Sequence, residues 1–335
     1  MSATDAPSLR AAAREFAHAD DRRAWIEVSV TFALYLAGLI TAIAAIGTSW
    51  VMVPAIVLAS GSGLRLYMIQ HDCLHGSFFS SRRVNDIIGT LLSPIAMTPY
   101  RATRHTHNLH HTHVSDLDRR DTFEIKVMTV DEWHAASPLK RLGYRLYRSP
   151  VTLILVGPFL LYTVFRRLPL YGLRVGWWDL VLHNAMIAAV LLAIWSVAGW
   201  PGLAVWLAIV YVATPFGSLI PYVVHNFENI HWGTKPELDF ETAALEGSAV
   251  LDWGPFFDLA MLNIGYHDLH HLNAKIPGYR LKEAHEALEA RGLLRSEKIT
   301  FLDGLRCLRW KLYDEAGGRM VSFADVAPRP MVAAE

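Results

Sequence analysis

The chain has 335 residues, of which 53% are hydrophobic and 19% are charged, and its mean hydropathy is +0.24. This balance is unusual for a soluble enzyme and typical of a polytopic membrane protein. The 31 basic residues equal the 31 acidic ones, so net charge indicates no nucleic-acid partner. Two cysteines are too few for a disulfide framework, a zinc ribbon or an iron–sulfur cluster. Any bound metal must therefore be held mainly by histidine or carboxylate side chains.

The first part of the chain contains two predicted membrane spans. Residues 1–24 are polar and predict an N-terminal cytosolic or interfacial segment. Residues 25–47 and 50–70 are apolar, and each is long enough to cross a hydrocarbon core, which takes about 20 residues. Arg82 and Arg83 come just after the second span, so the positive-inside rule assigns this end to the cytosol.

The second part contains two further predicted spans and one shorter apolar stretch. Residues 150–165 are apolar but short for a full span, and they end at two arginines, which predicts a re-entrant or interfacial segment. Residues 178–200 and 202–224 predict two spans joined by an uncharged Pro-Gly turn. Four spans in two hairpins leave both termini and every histidine group on one side of the membrane. A fifth span would separate these groups.

The resulting prediction is an all-α integral membrane protein with four transmembrane helices in two hairpins. A cytosolic helical cap would hold a histidine-rich di-metal site. Residues 25–295 would form this domain, and residues 296–335 would form a cytosolic C-terminal tail.

Histidines occur in three groups with helical spacing, and one more follows the last predicted span. An i, i+3 or i, i+4 spacing places imidazoles on one face of a helix, and neutral imidazole is the commonest protein ligand for metals. Nine imidazoles exceed what one ion accepts and suit two ions with about four to five ligands each. The candidate ligands are His71, His75, His107, His110, His111, His225, His267, His270 and His271.

The ligand type leaves several metals possible, because imidazole suits iron, zinc, copper and nickel. A closed structural zinc site needs only four ligands and usually includes cysteine. A set of this size at the ends of apolar helices favours redox-active iron facing a hydrophobic substrate. A carboxylate-bridged di-iron bundle needs two Glu-x-x-His motifs, and the chain offers only one, from Glu228 to His231.

Other polar residues near these groups are candidates for orienting the ligands rather than binding metal. Asp72 and Glu228 adjoin candidate ligands, and a metal-bound imidazole commonly donates its second N–H to a carboxylate. His105, His113 and His231 flank the groups and are assigned the same supporting role or a surface position. The remaining histidines are divided between solvent, predicted for His18, His134 and His285, and a predicted span, for His183.

The three groups, His71-x-x-x-His75, His107-x-x-His110-His111 and His267-x-x-His270-His271, resemble the histidine boxes of membrane-bound fatty acid desaturases. The resemblance covers about residues 25–295 and includes box spacing, box order and the paired spans between boxes. The segment from His271 to Leu281 is similar to the end of the third box in acyl-lipid Δ12 (omega-6) desaturases. There is no His-Pro-Gly-Gly, so no cytochrome b5 domain is expected within the chain.

This resemblance implies two iron ions, O2 as co-substrate and removal of two hydrogens from adjacent methylenes of an acyl lipid. It also implies a separate electron donor of the ferredoxin or cytochrome b5 type. The expected location is a bacterial inner membrane, with the site and both termini in the cytosol. A related lipid hydroxylase, acetylenase or carotenoid oxygenase stays open as an alternative. A histidine-rich metal transporter is a further one, although transporter ligands usually lie near the bilayer midplane.

Overall fold

The computed structural model describes residues 8–122, 125–169 and 176–326, and helices dominate these ranges. The first and last residues of the predicted terminal segments, 1–7 and 327–335, lie outside them. The helices are α1 (Leu9–Arg14), α2 (Asp21–Ala44), α3 (Ser49–His75), α4 (Arg82–Ala96), α5 (Tyr100–Thr112), α6 (Val130–Ala135), α7 (Pro138–Tyr147), α8 (Gly157–Thr163), α9 (Trp177–Val224), α10 (Phe240–Glu246), α11 (Pro255–Ala260), α12 (His267–Leu272), α13 (Gly278–Ala290) and α14 (Phe301–Cys307). Short 3₁₀ segments cover Leu117–Thr122 and Phe165–Arg167, and a short π-helical segment covers Val151–Val156.

Helices α2 and α3 form a closely packed hairpin. Asp20 begins α2 by accepting the backbone N–H of Arg23 at 3.0 Å, which satisfies one of the unpaired amides of the first turn. Gly38 lies so close to α3 that an added Cβ would stand 2.7 Å from the backbone nitrogen of Ala59. Small residues allow such approach, which is how apolar helices pack in a bilayer. The hairpin agrees with the first two predicted spans, and α3 continues to His75.

Helix α9 is folded back on itself at Gly199, where φ is 58° and ψ is −151°. A straight helix of this length would measure about 72 Å, whereas α5 measures about 20 Å. Yet both ends of α9 reach α5. Asp179, near the start, accepts the backbone N–H of Ala102 at 3.0 Å, and the ring of His225, after the end, lies 4.8 Å from that of His110. The two arms of α9 are therefore antiparallel.

Three helices are long and apolar enough to cross a membrane by length and composition: α2, α3 and the folded α9. A bent pair, Pro138–Tyr147 with Val151–Arg167, passes the same test together, with a bend of 55°. The described residues thus support a largely helical fold with several apolar helices, as the sequence predicts.

The bent pair packs against the second arm of α9. Ser218 donates its hydroxyl to the carbonyl of Leu153 at 2.7 Å, and the Phe159 ring lies 5.4 Å from that of Tyr211. The segment then ends beside the first arm, where Asn184 donates to the carbonyl of Arg167 at 3.1 Å. Tyr211 is about 18 Å of helix away from Gly199. The re-entrant or interfacial segment predicted for residues 150–165 stays a prediction.

The cap departs from the all-α prediction because it contains short strands. A three-stranded sheet has the order β1-β4-β5, with β1 parallel to β4 and β4 antiparallel to β5, and a second sheet pairs β2 with β3 in parallel. Residues 296–326, which the sequence assigns to a tail, therefore pack into the cap. The strands are β1 (Met128–Thr129), β2 (Val250–Asp252), β3 (Lys298–Thr300), β4 (Leu312–Asp314) and β5 (Arg319–Val321).

A buried arginine joins the cap to the end of α9. Arg148 is fully buried, and its guanidinium donates to the side-chain carbonyl of Asn226 at 2.7 Å and to the backbone carbonyl of Trp310 at 3.0 Å. Asn226 in turn donates to the carbonyl of Cys307 at 3.1 Å. This network fixes the residue next to His225 against the C-terminal part of the cap. It places the end of α9 beside α3, α5 and α12.

Candidate metal centre

Four parts of the fold bring the nine candidate ligands together. The last turn of α3 supplies two, α5 supplies three, the residue after α9 supplies one and α12 supplies three. Helix α3 ends directly after its histidines because Gly76 adopts a left-handed conformation, with φ of 62°. Pro99 precedes α5, so the helix starts about two turns before its first box histidine, His107.

The histidines form two groups, and within each group the ligand atoms lie within 4.8 Å of one another. Each of α5 and α12 contributes to both groups. The two histidines of a helix that are four residues apart belong to one group, and the third histidine of that helix belongs to the other. The five-histidine group comprises His71, His75, His107, His111 and His270. The four-histidine group comprises His110, His225, His267 and His271.

Distances within the four-histidine group fit a shared cation. The Nε2 atoms of His225, His267 and His271 form a triangle with sides of 3.1, 3.1 and 3.2 Å. Nitrogens bound to one ion at about 2.0–2.1 Å lie about 2.9–3.4 Å apart in octahedral to tetrahedral geometry. Three mutual contacts of this kind cannot all be linear hydrogen bonds, whereas one central cation accepts all three lone pairs.

The five-histidine group has the same spacing. The Nε2 of His107 lies 3.0 Å from that of His75 and 3.1 Å from that of His111. The Nε2 of His111 also lies 3.1 Å from that of His270. The ring of His71 stands 4.5 Å from that of His107, centroid to centroid. Both groups therefore pass the geometric test for a histidine-bound metal ion.

Burial keeps these imidazoles in the form that binds metal. It lowers the pKa of each α5 box histidine well below the ordinary value, and repulsion between neighbouring imidazoles lowers it further. The same two causes lower the pKa of each histidine in α12. His225 donates Nδ1–H to the carbonyl of Gly247 at 2.9 Å, which leaves its Nε2 with a lone pair. Neutral rings with converging lone pairs are the ligand state that a divalent cation requires.

Of the residues predicted to orient the ligands, Asp72 lies next to the site. Its carboxylate is buried, with Oδ1 3.5 Å from the Nδ1 of His71. The other oxygen accepts the backbone N–H of Gly278 at 2.6 Å. Asp72 therefore connects the first histidine pair to the start of α13. An added Cβ on Gly278 would stand 2.6 Å from the carbonyl oxygen of Leu262, so a larger residue would disturb this connection.

The structure does not bring Glu228 or the three flanking histidines to the cluster. The half-exposed carboxylate of Glu228 lies 3.9 Å from Arg319. His113 lies 3.3 Å from Asp116, and His105 is exposed. His231 lies in a loop, where its Nε2 is close to Gly233. Sequence proximity to a ligand therefore does not by itself place a side chain at the cluster, because the direction of a side chain depends on its position within the element.

A buried polar cluster beneath α12 was not predicted from sequence. Asp268 is fully buried, accepts the backbone N–H of Leu269 at 2.7 Å and accepts the Ser296 hydroxyl. The Nε2 of His285 lies 2.9 Å from the same hydroxyl oxygen, and its ring packs 4.9 Å from that of Tyr266. The prediction that His285 faces solvent is wrong, because α13 turns it inward. The only sequence signal was an aspartate within the third box.

An apolar cavity of about 400 Å³ reaches both histidine groups. A smaller cavity of about 50 Å³ continues deeper among the apolar helices. Tyr67, Tyr162 and Gly217 line both, and the two tyrosine rings meet edge to face at 6.3 Å. The histidines that line the larger cavity are His71, His107, His110, His225 and His267.

Comparison with known proteins gives a consistent set of relatives. The family model described as fatty acid desaturase matches residues 48–299. A fatty acid desaturase of Bacillus subtilis is 33% identical over 319 residues, covering 94% of this chain and 90% of the relative. A chloroplastic omega-6 fatty acid desaturase of Glycine max is 26% identical over 292 residues, covering 82% of this chain and 65% of that relative, just under two thirds. An sn-1 acyl-lipid omega-3 desaturase (ferredoxin) of Synechocystis is 28% identical over 266 residues, covering 74% and 70%.

Proposed function

Because this chain belongs to the fatty acid desaturase family of oxidoreductases, we propose that it inserts a cis double bond into a membrane-lipid acyl chain, at the Δ12 (omega-6) position. The omega-6 name of the soybean relative and the similarity of the third box support this position. The observation that carries the proposal is the pair of histidine groups opening onto one apolar cavity.

The nine histidines would hold two iron ions, five ligands for one and four for the other. An unactivated C–H bond offers nothing to acid–base groups, so the bound iron would supply the O2-dependent oxidation that removes two hydrogens. The protein's part is to keep the imidazoles neutral and converging, which burial and the Gly247 carbonyl do. Its second part is to bind the acyl chain along apolar walls and to exclude water.

We further propose four membrane crossings, formed by α2, α3 and the two arms of α9. The meeting of both α9 ends at α5 supports this count, because it brings the start and the end of the folded helix to one side. Exposed Arg82 and Arg83 favour the cytosol for that side, here the cytosol of a bacterium. A separate ferredoxin or cytochrome b5-type protein would supply electrons there; the Synechocystis relative is named for ferredoxin.

The deciding experiment is fatty-acid profiling by gas chromatography and mass spectrometry of a heterologous host that makes Δ9-monounsaturated lipids. Wild-type protein with a suitable donor should produce a diene with its new bond at Δ12, and His110→Ala should not. Metal analysis of the purified protein should give about two irons per chain. An unchanged profile with well-expressed, iron-loaded protein would contradict the proposal. New hydroxyl groups without new double bonds would instead favour a lipid hydroxylase.

A further inference from the structure

A cluster of polar side chains around Arg167 and His183, called the polar pocket below, lies away from the histidine cluster. Arg167 donates to the carbonyl of Met97, and its own carbonyl accepts from Asn184 at 3.1 Å. His183, one residue earlier in α9, is 1% exposed, and its Nδ1 lies 3.0 Å from the Ser93 hydroxyl. The turn after α8, the end of α4 and the first arm of α9 thus meet at one place.

Several buried polar atoms here have no hydrogen-bond partner among the residues that the structure describes. They are Nε and Nη1 of Arg167, Nε2 of His183 and Oδ1 of Asn184. Within the described ranges, Arg167 forms no ion pair, and Arg166 places a second guanidinium beside it. A buried guanidinium without a counter-ion is costly, because its desolvation is not repaid.

The acidic residue nearest along α9 is already engaged. Asp179 stands one turn before His183, and its two carboxylate oxygens accept the backbone N–H groups of Arg101 and Ala102 at 3.1 and 3.0 Å. It therefore serves the start of α5. Within the described part of the chain, no carboxylate pairs with the donors of Arg167 and His183, which leaves them open to an anion from outside the chain.

The depth of the pocket fits the head-group region of a bilayer. His183 lies six residues into α9, about 9 Å along its axis. Trp177 and Trp178 stack at the exposed start of that helix, a position that tryptophan favours at membrane interfaces. Phe165, two residues before Arg167, is 45% exposed and lines the large cavity. The pocket thus stands beside an entrance from the lipid phase to the histidines.

We propose that Arg167 and His183 bind the phosphate of a phospholipid. Guanidinium groups match phosphate oxygens in bidentate geometry, and the neutral tautomer of His183 with a proton on Nε2 adds a donor. Asn184 Oδ1 offers an acceptor to a hydroxyl or ammonium group of the same head group. The acyl chain of this lipid enters the cavity beside Phe165, so the acyl carrier is an intact glycerophospholipid; this second step rests on the proposed desaturase function.

The test measures lipid binding rather than turnover. Native mass spectrometry of the full-length protein in detergent compares dioleoyl phosphatidylglycerol with dioleoylglycerol, which has the same chains and no phosphate. Wild type should bind the phospholipid about tenfold more tightly, the effect expected from charge-assisted hydrogen bonds. Arg167→Gln should remove this preference. Arg167→Lys should keep part of it, and Arg83→Gln, at an exposed arginine of α4, should leave it intact.

Three outcomes would overturn the proposal. The first is equal binding of the two lipids by wild type, a result that does not depend on whether Arg167→Gln folds. An equal loss in the Arg83 and Arg167 variants would indicate general surface charge. Inorganic phosphate that binds as tightly as the phospholipid would assign the pocket to free phosphate. Since none of these measurements involves catalysis, a failed phosphate site and a failed desaturase assignment are told apart.

Discussion

Histidines only three residues apart on α5 belong to different groups, and this allows the two groups to be separated by mutation. His110→Ala removes a ligand from the four-histidine group and leaves the other complete. We expect bound iron to fall from about two toward one per chain, because the four-histidine group keeps only three of its ligands. Desaturation should be lost with it. Iron analysis of the purified variants measures the change.

The matched control is His105→Ala, because His105 is exposed on the same helix and belongs to neither group. This variant should keep both irons and its activity. If it loses iron as His110→Ala does, the division of the histidines into two groups is wrong.

The protonation of the α5 and α12 histidines predicts a pH dependence for the metal-free protein. Burial holds their folded-state pKa below the ordinary value of 6.5, so the unfolded chain binds more protons as the pH falls below 6.5. Stability is therefore fully present above that pH and decreases below it. Thermal unfolding of metal-free protein between pH 8 and pH 5, about the range in which histidine titrates, should show a falling Tm only in the lower half.

A variant with alanine at all three α5 box positions should have a flatter pH profile than wild type over that range. Bound metal should shift the wild-type decrease to lower pH, since the metal competes with protons for the same nitrogens. A Tm that rises toward pH 5 would contradict the assigned direction of the pKa changes.

At the scale of single elements, the two tyrosines between the cavities offer a test of how the acyl chain is measured. Tyr67 and Tyr162 line both cavities, so they limit how far an acyl chain extends past the histidines. Tyr162→Ala would join the cavities and let the chain run deeper. Because one methylene is worth only about 1–3 kcal/mol in a pocket, the variant should give a mixture of double-bond positions rather than one new product.

Mass spectrometry of derivatised fatty acids locates the double bonds. Tyr162→Phe keeps the ring and removes only the hydroxyl, so its product profile should match that of wild type. Val164→Ala, an exposed position on the same segment, controls for general disturbance. A wild-type profile from Tyr162→Ala would exclude the tyrosine pair as the limit.

Sequence patterns predicted the elements whose cause is local. The predicted apolar segments 25–47 and 50–70 overlap α2 and α3, because a long apolar run next to charged residues is sufficient to predict a long apolar helix. The histidine spacings defined which rings share a helix face. The strands were missed, since β1 pairs with β4 across nearly two hundred residues and neither strand has more than three residues. The inward position of His285 was also missed, because it depends on contacts with Ser296 and Asp268, which lie outside α13.

At the scale of the whole molecule, the proposed site requires every histidine-bearing element on one membrane face. The links after α2 and at the reversal of α9 must then lie on the opposite face. Single cysteines test this in a background in which the two buried natural cysteines are replaced by serine. Thr48→Cys and Val197→Cys place exposed thiols at the two links, and Ala316→Cys places one in the turn between β4 and β5.

A membrane-impermeant maleimide added to intact spheroplasts should label Thr48→Cys and Val197→Cys and leave Ala316→Cys unmodified. Permeabilised cells should give labelling at all three positions, which shows that the third thiol is reactive. Labelling of only one of the two links in intact spheroplasts would mean that α9 crosses the membrane only once. His225 would then lie on the opposite side of the membrane from the α3 histidines. Labelling of Ala316→Cys in intact spheroplasts would reverse the orientation and place the electron donor outside the cell. Only the expected pattern lets one cytosolic carrier reach a site built from all four histidine-bearing elements.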